Sequence, residues 1–204
     1  MHLLGERILG VAILCLLGIL VAAKYAATGS ILDKPKGNLI MQLVNIFNLF
    51  FLLVVNPAAA VCLILRRLPA VDPTHLALSR PAAAAVVESV GLLFYLLGFL
   101  LMAWALLTLG RYYQLGGSAP RSQDQLMTGG PYRMIRHPMY TAALSIALGL
   151  ACLVQSWAVL GVFGVYLALL AALIPVEEDG LRKAYGERFR AYQQRTKKLI
   201  PFVY

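Results

Sequence analysis

The sequence predicts an all-α integral membrane protein: about five transmembrane helices, the last two a helical hairpin, followed by a C-terminal amphipathic helix. Three observations carry this. Of the 204 residues, 60% are hydrophobic and 13% are charged, and mean hydropathy is +0.76, a charged share about half that of soluble domains. The apolar residues fall in runs long enough to cross a bilayer, which takes about 20 residues per helix. The basic residues lie in the loops and tail between those runs. No stretch is polar enough to form a separate soluble domain, so residues 1–204 read as a single membrane domain.

Ile8 to Ala27 is the first expected span, Leu39 to Leu65 the second and Ala82 to Leu109 the third. Arg7 precedes the first run as it would in a secretory signal. No convincing small-residue cleavage site stands before the polar stretch from Lys24 to Asn38, so the run is expected to remain as a mature span. Tyr140 to Ile174 is too long for one helix and is interrupted by Gln155 and Ser156 before Trp157. A tight hairpin fits, with its turn at one interface and Trp157 at headgroup level. Its first arm, Tyr140 to Val154, would rise only about 22 Å, short of a full crossing without local thinning.

From Glu177 to Lys198, Leu181, Tyr185, Phe189 and Tyr192 recur at helical spacing among Arg182, Lys183, Glu187, Arg188 and Arg190. This predicts an amphipathic helix on the membrane surface or across the mouth of the bundle. Pro201 is expected to stop it.

The net charge of +9 sits in loops, the footprint of contact with anionic lipid headgroups, and no nucleic-acid module accompanies it. Counted in chain order, Lys and Arg number one before the first span, three, three and four in the successive loops, and seven after the hairpin. The positive-inside rule then places the N-terminus outside and the C-terminus in the cytoplasm. Cys15, Cys62 and Cys152 lie singly in apolar segments without metal-ligand spacing and read as packing residues.

Within the second span, Asn45, Asn48 and Asn56 are expected to bond to a neighbouring helix or to their own backbone. Glu88 on the third span is costly facing lipid; an interfacial and a functional position both remain open. Gly91 and Gly98 on the same span permit close helix contact, within the chain or between copies.

The densest polar information lies in Gly129-Gly130-Pro131-Tyr132-Arg133-Met134-Ile135-Arg136-His137-Pro138-Met139-Tyr140. Pro138 suits the first turn of a helix, which puts Arg136 and His137 at its positive N-terminal end, where a carboxylate-bearing ligand would be stabilised. An ordinary basic loop beside a proline-started helix explains these residues equally well. Glu177-Glu178-Asp179 closes the hairpin's return arm and would come back to the same membrane face. A cation-rich and an acidic corner facing each other across a crevice would match a zwitterionic amino acid moiety. Pairing of the acids with Arg182 and Lys183 is the plainer alternative.

The run Gly130-Pro131-Tyr132, Arg136-His137-Pro138-Met139-Tyr140, Gly149, Glu177-Glu178, Tyr185-Gly186-Glu187-Arg188-Phe189-Arg190-Ala191-Tyr192 and Ile200-Pro201 resembles the isoprenylcysteine carboxyl methyltransferase family and the related membrane phospholipid methyltransferases. The resemblance covers about Thr128 to Phe202; the three N-terminal spans in 1–110 show none. It implies that residues 111–204 form a catalytic region around S-adenosylmethionine, shielded by the hairpin and the tail, with a lipophilic or amphiphilic acceptor arriving from the membrane. By position, Gly130, Tyr132, His137, Pro138 and Tyr140 would line the cofactor, with Glu177 and Glu178 at its amino acid end. Arg136 would orient an anionic acceptor or the cofactor carboxylate, and Glu178 or His137 would act as base for a protonatable acceptor.

Methyl transfer from a sulfonium is an in-line displacement that requires alignment and exclusion of water, and neither a triad nor a metal. Two other classes are weighed. Membrane sterol reductases, which use a nicotinamide cofactor, end in a similar pattern, but Glu177-Glu178 looks more like the methyltransferase acidic pair. A non-enzymatic transporter or scaffold predicts symmetric halves or a polar path through the bilayer, and the sequence shows neither.

Overall fold

Long apolar runs cross lipid only with their backbone groups bonded internally, and the described residues follow that rule. A computed structural model describes residues 5–29, 38–76, 78, 80–110 and 126–200. Helix α1 spans Glu6–Thr28, and α2 spans Leu39–Phe50. A π-helical stretch, Phe51–Val55, carries α2 into α3, Asn56–Ile64. The short α4, Leu68–Val71, precedes α5, Pro81–Leu109. A 3-10 turn at Gly130–Arg133 leads to α6, Pro138–Val154, then α7, Trp157–Tyr185, and α8, Glu187–Arg195.

Among the described residues, four helical stretches, 6–28, 39–64, 81–109 and 157–185, are long and apolar enough to cross a membrane. The fifth, α6, has 17 residues and rises about 25 Å, short of a hydrocarbon core of about 30 Å. It nevertheless lies at the centre. Ala142, Ala143, Ile146, Ala147, Gly149, Leu150, Leu153 and Val154 are all buried, so neighbouring helices rather than lipid surround it.

Lipid supplies no hydrophobic drive for helix association, so backbones must approach closely enough for dispersion and packing to hold them. The α5–α6 interface does this with small residues. A Cβ at Gly91 would lie 2.7 Å from Cys152 Cβ, one at Gly98 2.8 Å from the Ala142 carbonyl oxygen, and one at Gly149 2.5 Å from Tyr95 N. Gly91 and Gly98 thus serve contact within the chain.

The span asparagines divide. Asn56 donates to the Phe51 carbonyl, a group of the π-helical stretch, at 3.0 Å and accepts from the Tyr95 hydroxyl at 3.1 Å. Asn48 accepts from the Tyr166 hydroxyl of α7. Asn45 is fully buried, and neither of its amide atoms has a hydrogen-bond partner among the described residues. Glu88 is turned inward, beside Leu9 of α1 and Leu153 of α6, and faces protein rather than lipid.

The expected hairpin forms at the expected place. Gln155 ends α6 in the left-handed region, and the Ser156 hydroxyl caps α7 by accepting from Val159 N at 3.2 Å. The loop after α4 clamps this turn. Leu76 N donates to the Gln155 carbonyl at 2.6 Å, Ala158 N donates to the Thr74 hydroxyl at 2.9 Å, and Trp157 N donates to the Thr74 carbonyl at 3.3 Å.

The tail differs from the reading of one amphipathic helix from Glu177 to Lys198. Helix α7 continues through Pro175 as far as Tyr185, so Glu177, Glu178 and Asp179 belong to the spanning helix. Gly186, at φ 53°, breaks the chain, and only Glu187–Arg195 forms the separate amphipathic helix. Its apolar residues Phe189 and Tyr192 are buried, so α8 packs across the end of the bundle. Pro201, the expected stop, lies outside the described residues.

Candidate functional site

The site is assembled at the N-terminus of α6, where the first backbone N–H groups have no partner inside the helix. Pro138 occupies the first turn and His137 the capping position. Upstream, Gly130 adopts φ 52°, and a Cβ there would lie 2.6 Å from Thr108 Oγ1 near the end of α5, so only glycine lets the 3-10 turn press against that helix. Downstream, the segment after α8 returns alongside. Arg136 N donates to the Lys197 carbonyl at 2.8 Å, His137 N donates to the Lys198 carbonyl at 3.1 Å, and the Thr141 hydroxyl donates to the Leu199 carbonyl at 2.7 Å. The chain entering α6 is therefore fixed by the chain leaving α8.

Four ionisable side chains meet in this frame. Arg136 Nε donates to Glu178 Oε1 at 2.8 Å, and His137 Nε2 lies 3.2 Å from the same oxygen. Gln193 Nε2 donates to Glu178 Oε2 at 3.0 Å. Arg136 Nη1 also donates to the carbonyls of Gln193 and Thr196. On the other side of the imidazole, Nδ1 stands 3.6 Å from Glu177 Oε2, which accepts from the Tyr140 hydroxyl at 2.8 Å. The rings of His137 and Tyr140 stack, with centroids 5.4 Å apart and planes 10° from parallel. His137 and Glu178 are buried, with Arg136 nearly so.

The acidic and cationic corners expected to face each other therefore meet in direct contact. Hairpin closure brings α7 back beside the start of α6, and bare charges at that depth are strongly favoured to pair. Two polar atoms of the cluster keep no hydrogen bond among the described residues: Glu177 Oε1 and Arg136 Nη2. One accepts and one donates.

Of the residues singled out in the sequence, Arg136, His137 and Glu178 form one contact group, and His137, Tyr140 and Glu177 a second that shares the imidazole. Pro138 contributes helix geometry. Tyr132 is a layer away, its carbonyl accepting from the Tyr192 hydroxyl at 2.7 Å. Burial pushes the Tyr192 phenol well above its ordinary value, which keeps it a neutral donor. Asp179 points outward and pairs with Lys183 at 2.7 Å, the plainer role considered for the acidic run. Gln193 and Thr196 were not anticipated; Gln193 lies on the α8 face that carries Phe189 and Tyr192, Thr196 follows directly after the helix, and that spacing was the available signal.

Residues 87–188, half of the chain, match the model of the phospholipid methyltransferase family. The chain belongs to this family. Among curated relatives, it is 36% identical over 98 residues to the cobalt-zinc-cadmium resistance protein CzcN of Cupriavidus metallidurans, covering 48% of this chain and 45% of that protein. It is 29% identical over 119 residues to protein-S-isoprenylcysteine O-methyltransferase B of Arabidopsis thaliana, covering 57% and 60%. It thus spans less than two thirds of the length of either relative. Among solved structures, the eukaryotic intramembrane Ras methyltransferase ICMT (isoprenylcysteine carboxyl methyltransferase) is similar in fold, with a TM-score of 0.54 at 21% identity over 80% of this chain and 74% of that one. The phospholipid methyltransferase match takes in α6 and α7 with the whole Arg136–His137–Glu177–Glu178 cluster, and ends at Arg188, early in α8.

Proposed function

We propose that this chain is an S-adenosylmethionine-dependent membrane methyltransferase acting on a lipophilic or amphiphilic acceptor that bears a carboxylate, amine or thiol. The observation that carries the reading is the paired cluster at the start of α6, lying inside the family match and leaving one acceptor, Glu177 Oε1, and one donor, Arg136 Nη2, without a hydrogen bond among the described residues. That is the polarity of an amino acid end group, with ammonium for the carboxylate and carboxylate for the guanidinium. When bound, the cofactor supplies an electrophilic methyl group on a sulfonium, transferred by in-line displacement.

The protein's own groups divide the remaining work. Glu178, with both oxygens already accepting, anchors Arg136 and His137. Tyr140 stacks on the imidazole and orients Glu177. For an amine or thiol acceptor, His137 takes up the proton, held in place by Glu178; a carboxylate acceptor needs no base. The end of the bundle that holds α8 is assigned to the cytoplasm, with the N-terminus outside, on the distribution of Lys and Arg. Burial of the cluster excludes water from the methyl transfer.

The test is photo-crosslinking of methyl-labelled S-adenosylmethionine to the protein in membranes. Label that unlabelled S-adenosylhomocysteine displaces and NADPH does not is the expected result. Labelling that neither compound displaces, or that NADPH alone displaces, overturns the reading.

A further inference from the structure

We infer that Gln193, which lies beyond the family match, is a positioning residue that sets the affinity of the donor site by holding both members of its central ion pair. This rests on the methyl-donor reading above.

Glu178 has two oxygens to satisfy. Oε1 takes Arg136 Nε and His137 Nε2, both from the chain entering α6. Oε2 takes a single donor among the described residues, the Gln193 amide at 3.0 Å. The same residue's backbone carbonyl accepts from Arg136 Nη1 at 3.3 Å. That carbonyl belongs to the last turn of α8, Glu187–Arg195, where carbonyls lack helical partners and the helix end favours a cation. Gln193 thus grips the carboxylate with its side chain and the guanidinium with its backbone. The grip is itself anchored: Phe189 is fully buried, and the Tyr192 hydroxyl donates to the Tyr132 carbonyl.

The consequence follows from hydrogen-bond chemistry. Without the Gln193 donor, Glu178 Oε2 is left buried and short of a partner, and the carboxylate is free to rotate about its remaining bonds to Arg136 and His137. Nη2 of Arg136 moves with it. Gln193 touches neither methyl group nor acceptor, so it acts through Glu178 and Arg136, and its loss is read in donor affinity.

The test compares wild type, Gln193→Leu and Gln193→Glu by calorimetric titration with S-adenosylhomocysteine in detergent, with a thermal unfolding curve for each. Gln193→Leu is expected to bind roughly tenfold more weakly, the order of one hydrogen bond to a charged group. Gln193→Glu supplies the readout that a purely structural role would not move. At about pH 8 its carboxylate faces Glu178 and repels it; at about pH 5 the pair shares a proton, the new carboxyl donates to Oε2, and affinity returns towards wild type. The comparison is made within one folded sample, so it stands even where Gln193→Leu fails to fold. Wild-type affinity for Gln193→Glu at both pH values, or loss without recovery at the lower one, overturns the inference. Silence from wild type itself overturns the methyl-donor reading and the inference with it.

Discussion

Gly149→Ala is the sharpest perturbation of the helix packing that holds the site. The added Cβ would lie 2.5 Å from Tyr95 N and 2.8 Å from both Tyr95 Cα and the Gly91 carbonyl oxygen, whereas ordinary contact begins at 3.4 Å. All three are backbone atoms of α5, so no side chain can rotate away, and α5 must withdraw from α6 by about 0.9 Å. Overpacking of a tight core costs about 1–3 kcal/mol, and rigid backbone opposite the new methyl group places this variant near the upper figure. At about 2–4 °C per kcal/mol for a chain of this size, the unfolding midpoint should fall by about 6–12 °C. The assay is thermal unfolding in detergent followed by circular dichroism. Gly161→Ala on α7 is the control, because nothing lies within 4 Å of its Cβ position; it isolates the gain in helix propensity of up to about 1 kcal/mol. Equal midpoints for the two variants would refute the close-packing argument.

Three further outcomes are expected. Glu178→Gln and His137→Ala should each weaken S-adenosylhomocysteine binding by roughly tenfold or more while remaining folded in detergent; unchanged affinity in both variants would remove these residues from the donor site. Tyr95→Phe strips the buried Asn56 Oδ1 of its donor and should cost about 1–3 kcal/mol in thermal unfolding, with much of that recovered when Asn56→Leu removes the acceptor too; strictly additive costs would contradict the pairing. For Asp72, burial raises the carboxyl, but hydrogen bonds from Ser156 and from the Thr74 side chain and backbone, with the charge of His75, outweigh it and hold it below its ordinary 3.8. Its stabilising share is therefore present above about pH 4 and lost as pH falls further, so the wild-type midpoint should drop more steeply on acidification than that of Asp72→Asn; parallel pH curves would count against the clamp on the hairpin turn.

Much of the fold was legible because lipid imposes a length rule that the sequence states directly. The hairpin turn was legible for a local reason: Gln155 and Ser156 interrupt an apolar run too long for one helix, and they form the αL end of α6 and the cap of α7. The tail was misdivided because charge and helix continuity are different properties. Composition turns polar at Glu177, but α7 continues through Pro175 and the acids and ends only at Gly186, at positive φ. The π-helical stretch at Phe51–Val55 was not read from those five apolar residues; it is followed by Asn56, which donates to the Phe51 carbonyl, and by Pro57, which has no backbone N–H to donate.

The site was legible as a set of residue types but not as a circuit. Arg136, His137 and Glu178 stood out as ionisable groups beside apolar spans, yet their direct pairing depends on the short α6 lying against α7. The spacing that sets Gln193 and Thr196 beside Phe189 and Tyr192 does not say what they bond: Gln193 meets Glu178 of α7 and Arg136, and Thr196 meets Arg136, across the end of the bundle. A contact made across about 60 residues of intervening sequence has no periodic signature.

The most direct measurement is calorimetric titration of the purified protein in detergent with S-adenosylhomocysteine, beside a parallel titration with NADPH. Saturable binding of S-adenosylhomocysteine alone, lost when Glu178 is replaced by glutamine, is the expected result. Binding of NADPH alone, or of neither compound, would contradict the methyl-donor reading.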